Sequence, residues 1–108
     1  MTAFVIMQVD VHDPEVYETY KQQAPISLAA YGGRYLTRGG ALEVLSGSWP
    51  GERTIIVEFS SIAAGRAWHE SKEYAPARRL RDQAASVNVV IVEGLVDYFD
   101  PEDLHEEE

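Results

Sequence analysis

Three strand-like segments of this chain carry apolar side chains on both faces, a pattern that a sheet with one face in water does not show. In Ala3–Val11, Phe4 and Ile6 project from one face and Val5 and Met7 from the other. The segments at residues 53–59 and 86–93 have the same character. If helices cover one face, the second apolar face needs a cover as well.

The simplest cover for the second face is the same face of a second copy of the chain. The sequence therefore predicts a homodimer that associates through the sheet face. One alternative is a monomer whose last residues fold back over the sheet. Four apolar residues near the end of the chain could do part of this: Val96, Tyr98, Phe99 and Leu104.

The first half of the chain predicts a strand, a helix and a second strand. Asp13 can accept from free backbone amides and Pro14 fits a first helical turn, so a helix begins there after the first strand. Apolar residues then recur at spacings of three and four until Gly32, which we expect to end the helix. Pro25 lies inside it and should kink it or remove one hydrogen bond. Arg34–Arg38 is the second strand.

The second half completes an alternating pattern of strands and helices. Residues 43–46 are a candidate for a short strand, and Arg53–Phe59 is the third strand. Ser60 or Ser61 should begin a helix that runs to about residue 70, and Pro76 lies near the start of a second short helical piece. Residues 86–93 form the last strand. The order β-α-β-β-α-β predicts a ferredoxin-like α+β fold, an antiparallel sheet with helices on one face.

Charge divides the chain into a single domain at residues 1–96 and an acidic tail at residues 97–108. The net charge is −9, but the tail holds seven of the 18 acidic residues and no Lys or Arg. We expect the tail to be solvated. Nucleic-acid binding is disfavoured because it needs clustered cations. No apolar run is long enough for a membrane span, and the N-terminus lacks a basic leader, so a cytoplasmic location is expected.

Cofactor and metal motifs are missing from the sequence. The chain has no cysteine, no glycine-rich phosphate loop, no nucleophile elbow and no metal-ligand spacing, so we expect neither a cofactor nor a metal. A single histidine in the acidic end, His105 before residues 106–108, is weak evidence for a cation site.

An ordered set of residues resembles a bacterial family called domain of unknown function 1330, over about residues 3–94. The set is Tyr20, Pro25, Gly32-Gly33, Arg38-Gly39-Gly40, Leu45-x-Gly47-x-Trp49, Arg53, Glu58-Phe59-x-Ser61, Trp68, Ser71-x-Glu73-Tyr74 and Arg81. The resemblance implies a small dimeric α+β barrel without a settled activity. The family usually has an acid where Ser46 stands. The wider fold group includes cofactor-independent monooxygenases and muconolactone-type isomerases, although a shared fold does not transfer a reaction.

Candidate site residues cluster near the third strand and the helix that follows it. Glu58 is a carboxylate in an apolar strand, so we expect it to act as an acid or base, with Tyr74 as a hydroxyl donor. The alternative for Glu58 is a structural ion pair with Arg38, Arg53 or Arg81. The expected ligand-binding residues are Tyr20, Arg38, Trp49, Trp68, His69 and Arg81.

Each of these residues also has a structural interpretation. Core packing would explain the buried aromatics, a solvated helix face would explain Arg81, and His69 should point partly to solvent. The sequence predicts a small homodimer that binds a small apolar or aromatic acid between helices and sheet. Cofactor-independent isomerisation or oxygenation is one extension of this hypothesis, and a non-catalytic structural or regulatory dimer is the alternative. The identity of the ligand is left open.

Overall fold

The computed structural model describes residues 1–95, in which four strands form one antiparallel sheet of order β2-β3-β1-β4. The strands are β1 (Ala3–Val11), β2 (Arg34–Arg38), β3 (Arg53–Phe59) and β4 (Ala85–Glu93), and the helices are α1 (Pro14–Ala30), α2 (Ile62–His69) and α3 (Ala75–Ala84). The predicted ferredoxin-like α+β architecture is therefore confirmed. The acidic tail and the four apolar residues proposed as a cover lie outside the described residues.

The inner face of the sheet packs against the helices and forms the core. Alternate β1 residues Val5 and Met7 are buried on this face, beside Val57 and Phe59 of β3. Trp68 of α2 is 1% exposed and packs on Phe59, with ring centroids 5.6 Å apart. Burial of these side chains is the main favourable term in the stability of such a sheet.

The outer face of the sheet is apolar at one end and polar at the other. Ile6 lies between Ile56 and Val90 across the strands, and Phe4 lies opposite Val92. Val90 is 58% exposed and Val92 47% exposed, because the described residues offer no element to cover them. The apolar second face predicted from the sequence is therefore present, and strand pairing places its apolar residues side by side.

The helix starts and stops follow the predicted signals. The Asp13 carboxylate accepts from the amide of Val16, and the Ser61 hydroxyl accepts from the amide of Ala64. Gly32 has a φ of 73°, the left-handed conformation that ends α1. Pro25 lies within α1 and cannot donate to the carbonyl of Lys21, four residues earlier.

One predicted strand is absent. Residues 43–46 carry no strand and belong to an exposed loop between β2 and β3. Gly39 and Gly40 precede this segment but do not form a hairpin turn. The backbone of residues 43–46 therefore has no partner strand among the described residues. In residues 1–95, no helix combines the length and the apolar character needed to cross a membrane.

Candidate functional site

Glu58 lies on the outer face of the sheet, away from the helices. In β3 it alternates with Val57 and Phe59, whose side chains enter the core. β2 places Arg34 directly opposite Glu58, and its Nη2 lies 2.8 Å from Glu58 Oε1. The expectation of one pocket holding both Glu58 and Trp68 was wrong, because the two side chains occupy opposite faces. The ion-pair partner is Arg34, not Arg38, Arg53 or Arg81.

On the helix side, four predicted residues do come together. We name Tyr20, Tyr74, Arg81 and His69 the tyrosine network. The hydroxyls of Tyr20 and Tyr74 are 2.8 Å apart, and Arg81 Nη1 lies 3.4 Å from Tyr74 Oη and from His69 Nε2. Helices α1 and α3 and the end of α2 supply these side chains, so the network ties the helical layer together.

Arg81 is buried within the network, which the solvated-face interpretation did not anticipate. Its side chain is 8% exposed, and its Nε and Nη2 both donate to Asp82 Oδ1, at 3.1 and 2.9 Å. Asp82, Tyr74 and His69 lie against its three nitrogens, and so little of the side chain is exposed that this guanidinium is not accessible to a ligand acid. The structure therefore does not support the expected ligand-binding role of Arg81.

Burial sets the protonation of the network. It raises the pKa of Tyr20 and of Tyr74, so both hydroxyls stay protonated at neutral pH. His69 is half-buried, and burial together with the charges of Arg81 and Arg78 lowers its pKa. Its imidazole is therefore neutral at pH 7 and can donate or accept a hydrogen bond without carrying charge.

Trp68 is a packing residue that also holds the network in place. Its ring lies 4.1 Å from the Tyr74 ring, and its Nε1 donates to the Ser27 hydroxyl at 3.1 Å. The Ser71 hydroxyl accepts from the amide of Tyr74, which fixes the start of α3. Trp68 and Tyr74 are at most 1% exposed, so a ligand has no access to either ring.

A second cluster of side chains lies where α1 meets the β2 and β3 strands, and we call it the basic cleft. Arg53 lies over the Tyr17 ring, with its guanidinium carbon 5.5 Å from the ring centroid. Its guanidinium also packs on the backbone of Gly39, whose φ of 77° and missing side chain leave room for it. Arg53 Nε is buried without a hydrogen-bond partner in the described residues.

Pro25 positions the second arginine of the basic cleft. Because Pro25 has no N–H, the carbonyl of Lys21 lacks its helical donor, and Arg38 Nη2 donates to that oxygen instead. The Arg38 guanidinium also stacks 4.7 Å over the Tyr35 ring. A β-bulge between Tyr35 and Thr37 directs Arg38 toward α1.

The basic cleft is large enough to hold a small ligand. Its main part has a volume of about 460 Å³, and a neighbouring part that includes Arg38 adds a space of about 260 Å³. Lys21 is paired with Glu18 at 2.9 Å. Among residues 1–95, no carboxylate lies within ion-pair distance of Arg38 or Arg53. The main part is lined by Val11, Pro14, Tyr17, Glu18, Lys21, Gly39, Glu52 and Arg53.

Trp49, another expected ligand residue, lies apart from both clusters. It belongs to the exposed loop between β2 and β3, is 46% exposed, and its Nε1 donates to Thr54 Oγ1 at 3.1 Å. Thr54 projects from the outer face, so Trp49 lies on the side of the uncovered sheet. Within residues 1–95 there is no group of three or more His, Cys, Asp or Glu that could hold a metal ion.

Sequence reasoning missed Arg53 and Lys21 as site residues. Arg53 begins a strand and was considered only as a partner for Glu58. The signal for the basic cleft was Pro25, since a proline within a helix frees the carbonyl four residues earlier. That carbonyl needed a donor from elsewhere in the chain, but the sequence does not show which residue supplies it.

Comparisons with known proteins identify the fold and a family. A family model described as a domain of unknown function (DUF1330) matches residues 2–95. No curated protein matches the chain. Among solved structures, a protein of unknown function from Rhodopseudomonas palustris has a TM-score of 0.71 at 19% identity, covering 87% of this chain and 82% of its own.

Two further solved structures are similar in fold at lower identity. A protein of unknown function from Bacteroides fragilis, described as dimeric and ferredoxin-like, has a TM-score of 0.60 at 14% identity, with 86% of this chain and 96% of its own covered. SnoaB from Streptomyces nogalater, described as a cofactor-independent oxygenase, has a TM-score of 0.62 at 12% identity, with coverage of 90% and 98%. At these identities the likeness extends to the fold alone.

Proposed function

Since the chain belongs to the DUF1330 family, whose function is unknown, we propose a function from the site itself: the protein binds a small apolar or aromatic carboxylic acid in the basic cleft. The carboxylate lies against Arg38 and Arg53, and the apolar body lies against Tyr17. The observation that carries the proposal is a pair of arginines without a carboxylate partner among residues 1–95: Arg53 lines the main part of the cleft, of about 460 Å³, and both arginines line the neighbouring part of about 260 Å³.

The electrostatics of the basic cleft favour one negative charge. A guanidinium presents several donors in a plane and pairs with a carboxylate through two parallel hydrogen bonds. The buried Nε of Arg53 lacks an acceptor in the described residues, and such a group is costly to leave unpaired. A ligand carboxylate would stabilise both arginines. Two carboxylates also line the cleft. Glu18 is paired with Lys21, and Glu52 lies beyond ion-pair distance of Arg38 and Arg53, so the five charged groups leave a surplus of one positive charge.

The size and the walls of the cleft favour a compact organic acid. Ligand sites in proteins commonly have volumes of about 300–1,000 Å³, with apolar walls and a few convergent polar groups. The volume of about 460 Å³ falls within that range, and Val11, Pro14 and Tyr17 provide apolar wall. A simple phosphate would leave this apolar wall unused.

Binding of aromatic and aliphatic acids tests the proposal. Calorimetric titration with benzoate and hexanoate should show saturable binding to the unmodified protein. Arg38→Met should weaken it about tenfold or more, because a hydrogen bond to a charged group contributes about 1.5–3 kcal/mol. Arg53→Lys, which keeps the charge but loses the paired geometry, should weaken it less.

Arg34→Met is the matched control, because Arg34 lies on the outer face and pairs with Glu58. It should leave the affinity for benzoate unchanged. Equal affinities for the unmodified protein, Arg38→Met and Arg34→Met would contradict the proposal, as would the absence of saturable binding to the unmodified protein. Bound benzoate should also raise the melting temperature by mass action.

We further propose that two copies associate through the outer face of the sheet. The apolar end of that face exposes Val90 and Val92 beside Ile6 and Ile56, and a neighbouring fold is described as dimeric. A cytoplasmic location is part of the same proposal, since a chain without cysteine needs no oxidising compartment to form disulfides.

A second candidate function is cofactor-independent catalysis, which one observation favours. The tyrosine network joins two protonated tyrosines to neutral His69, and groups of this kind can move protons. In this proposal half-buried His69 would be the base, and buried Tyr74 would position it through Arg81. Exchange of α-hydrogens for deuterium in phenylacetate, followed by NMR, would detect it. A rate equal to that of buffer, or one unchanged in His69→Asn, would exclude this chemistry.

A further inference from the structure

A small groove separates α2 from β4, on the helix side of the sheet and apart from the basic cleft. It has a volume of about 140 Å³. Apolar side chains of β1 and β4 form most of its wall, and two polar side chains of α2 complete it. The lining residues are Val5, Gly65, Arg66, His69, Val89 and Ile91, together with Val90 of the edge strand, whose side chain projects from the outer face.

The floor of this groove depends on a residue that has no side chain. Gly65 is buried in the middle of α2, facing the sheet. A Cβ placed there would come within 2.5 Å of Ile91 Cδ1 and 3.2 Å of Phe59 Cδ2. The glycine therefore allows α2 to approach the sheet closely and leaves the groove open beside it.

His69 is the half-buried polar group of the groove. It is the last residue of α2, and its Nε2 lies 3.4 Å from Arg81 Nη1. A guanidinium only donates, so this contact favours the tautomer with the proton on Nδ1. The charged groups around the ring are Arg81, Arg78 and Asp82 of α3 and the adjacent Glu70, and burial and the two arginines keep the imidazole neutral.

We propose that this groove, hereafter the His69 groove, binds an uncharged single-ring molecule that carries one hydroxyl group, such as a phenol. An apolar protein cavity of about 150 Å³ holds a benzene-sized ring, so the volume of about 140 Å³ accommodates one ring. The ring contacts Val89 and Ile91, and the hydroxyl pairs with the imidazole of His69.

The chemistry of the groove differs from that of the basic cleft. A carboxylate would lose its hydration against a mostly apolar wall, since the Arg81 donors are already occupied. Arg66 lies exposed at the mouth, where water screens its charge. The two sites therefore select different ligands, and this inference does not depend on acid binding in the basic cleft.

Titration with phenol, followed through the histidine ring signals by NMR, tests the inference. Phenol should shift the ring signals of His69 in a saturable way and leave those of exposed His12 unchanged. The two-ring 2-naphthol should bind at least tenfold more weakly, because the groove holds one ring. Equal binding of both compounds, or a phenol titration that moves His12 as much as His69, would overturn the proposal.

A variant that fills the groove provides a second test. Gly65→Ala should weaken phenol binding about tenfold or more, whereas Ala67→Ser, on the exposed side of the same helix, should not. Arg38→Met should bind phenol normally, which separates this site from the basic cleft. If Gly65→Ala fails to fold, the phenol and naphthol comparison on the unmodified protein still decides the question. Undiminished phenol binding to a folded Gly65→Ala variant would refute the site.

Discussion

At the residue scale, the buried hydroxyl pair of Tyr20 and Tyr74 shows how α1 and α3 are held in register. Each hydroxyl is removed from water, and each is the other's partner at 2.8 Å. A buried polar group that loses its partner carries the full cost of its desolvation. The hydrogen bond between the two hydroxyls therefore contributes to the free energy of unfolding, as does the packing of the rings.

Removal of one hydroxyl tests this account. Tyr74→Phe should lower the free energy of unfolding by about 1–2 kcal/mol, because the Tyr20 hydroxyl then stays buried without its partner. Urea denaturation measures the change. Tyr31→Phe is the control, since Tyr31 bonds to Glu73 at the surface and its loss should cost well under 1 kcal/mol. Equal costs for the two variants would contradict the role of the buried pair.

The protonation of His69 predicts a pH dependence of stability. Burial and two arginines lower its pKa below 6.5, so the folded protein binds this proton less readily than the unfolded chain. The stability that this shift contributes is complete above the unfolded pKa and is lost as the pH falls through the folded pKa. His69→Asn should flatten the stability profile just below pH 6.5, as measured by urea denaturation at a series of pH values. A profile unchanged by His69→Asn would exclude this contribution.

At the element scale, the proline in α1 and the arginine in β2 form one unit. Pro25 frees the Lys21 carbonyl, and Arg38 satisfies it from the neighbouring strand. The sequence predicted the helix, its Asp13 and Gly32 boundaries and the loss of one hydrogen bond at Pro25. It could not indicate the replacement donor, because that depends on a bulge in β2 that local propensity does not encode.

A double-mutant cycle measures the coupling energy between Pro25 and Arg38. Arg38→Met should lower the free energy of unfolding by about 1 kcal/mol, since it leaves a helix carbonyl without its donor. In a Pro25→Ala background the same change should cost less, because the restored amide bonds to Lys21 itself. A coupling energy of about 0.5 kcal/mol or more is expected for residues in contact. Strictly additive costs would show that Arg38 does not replace the missing amide.

The element scale also explains which site residues the sequence could predict. Tyr20, Trp68, Tyr74 and His69 lie close together in the structure, on the layer of helices and turns that covers the sheet. Glu58 was misplaced, since its neighbours in sequence are buried while its own side chain faces the other way. Strand alternation decides which face a residue occupies, and the helices that define the inner face are distant in sequence.

At the scale of the whole molecule, the two faces of the sheet differ in what they carry. The helix side holds the tyrosine network, the basic cleft and the His69 groove, and we propose that the outer face binds a second copy. On this account Ile6→Glu should convert the dimer to a 12.1 kDa monomer in sedimentation, because it places a charge between Ile56 and Val90. Gln8→Glu, in the polar row of the same face, is the control and should stay dimeric. A dimeric Ile6→Glu variant would contradict this interface.

Anomalous diffraction from crystals that contain 4-bromobenzoate tests the central claim most directly. The bromine marks the apolar end of the ligand, so its position distinguishes the basic cleft from every other surface. We predict a peak beside Tyr17, with the carboxylate against Arg53 and Arg38. A peak on the outer face of the sheet, or an empty basic cleft at saturating ligand, would contradict the claim that this protein binds small organic acids there.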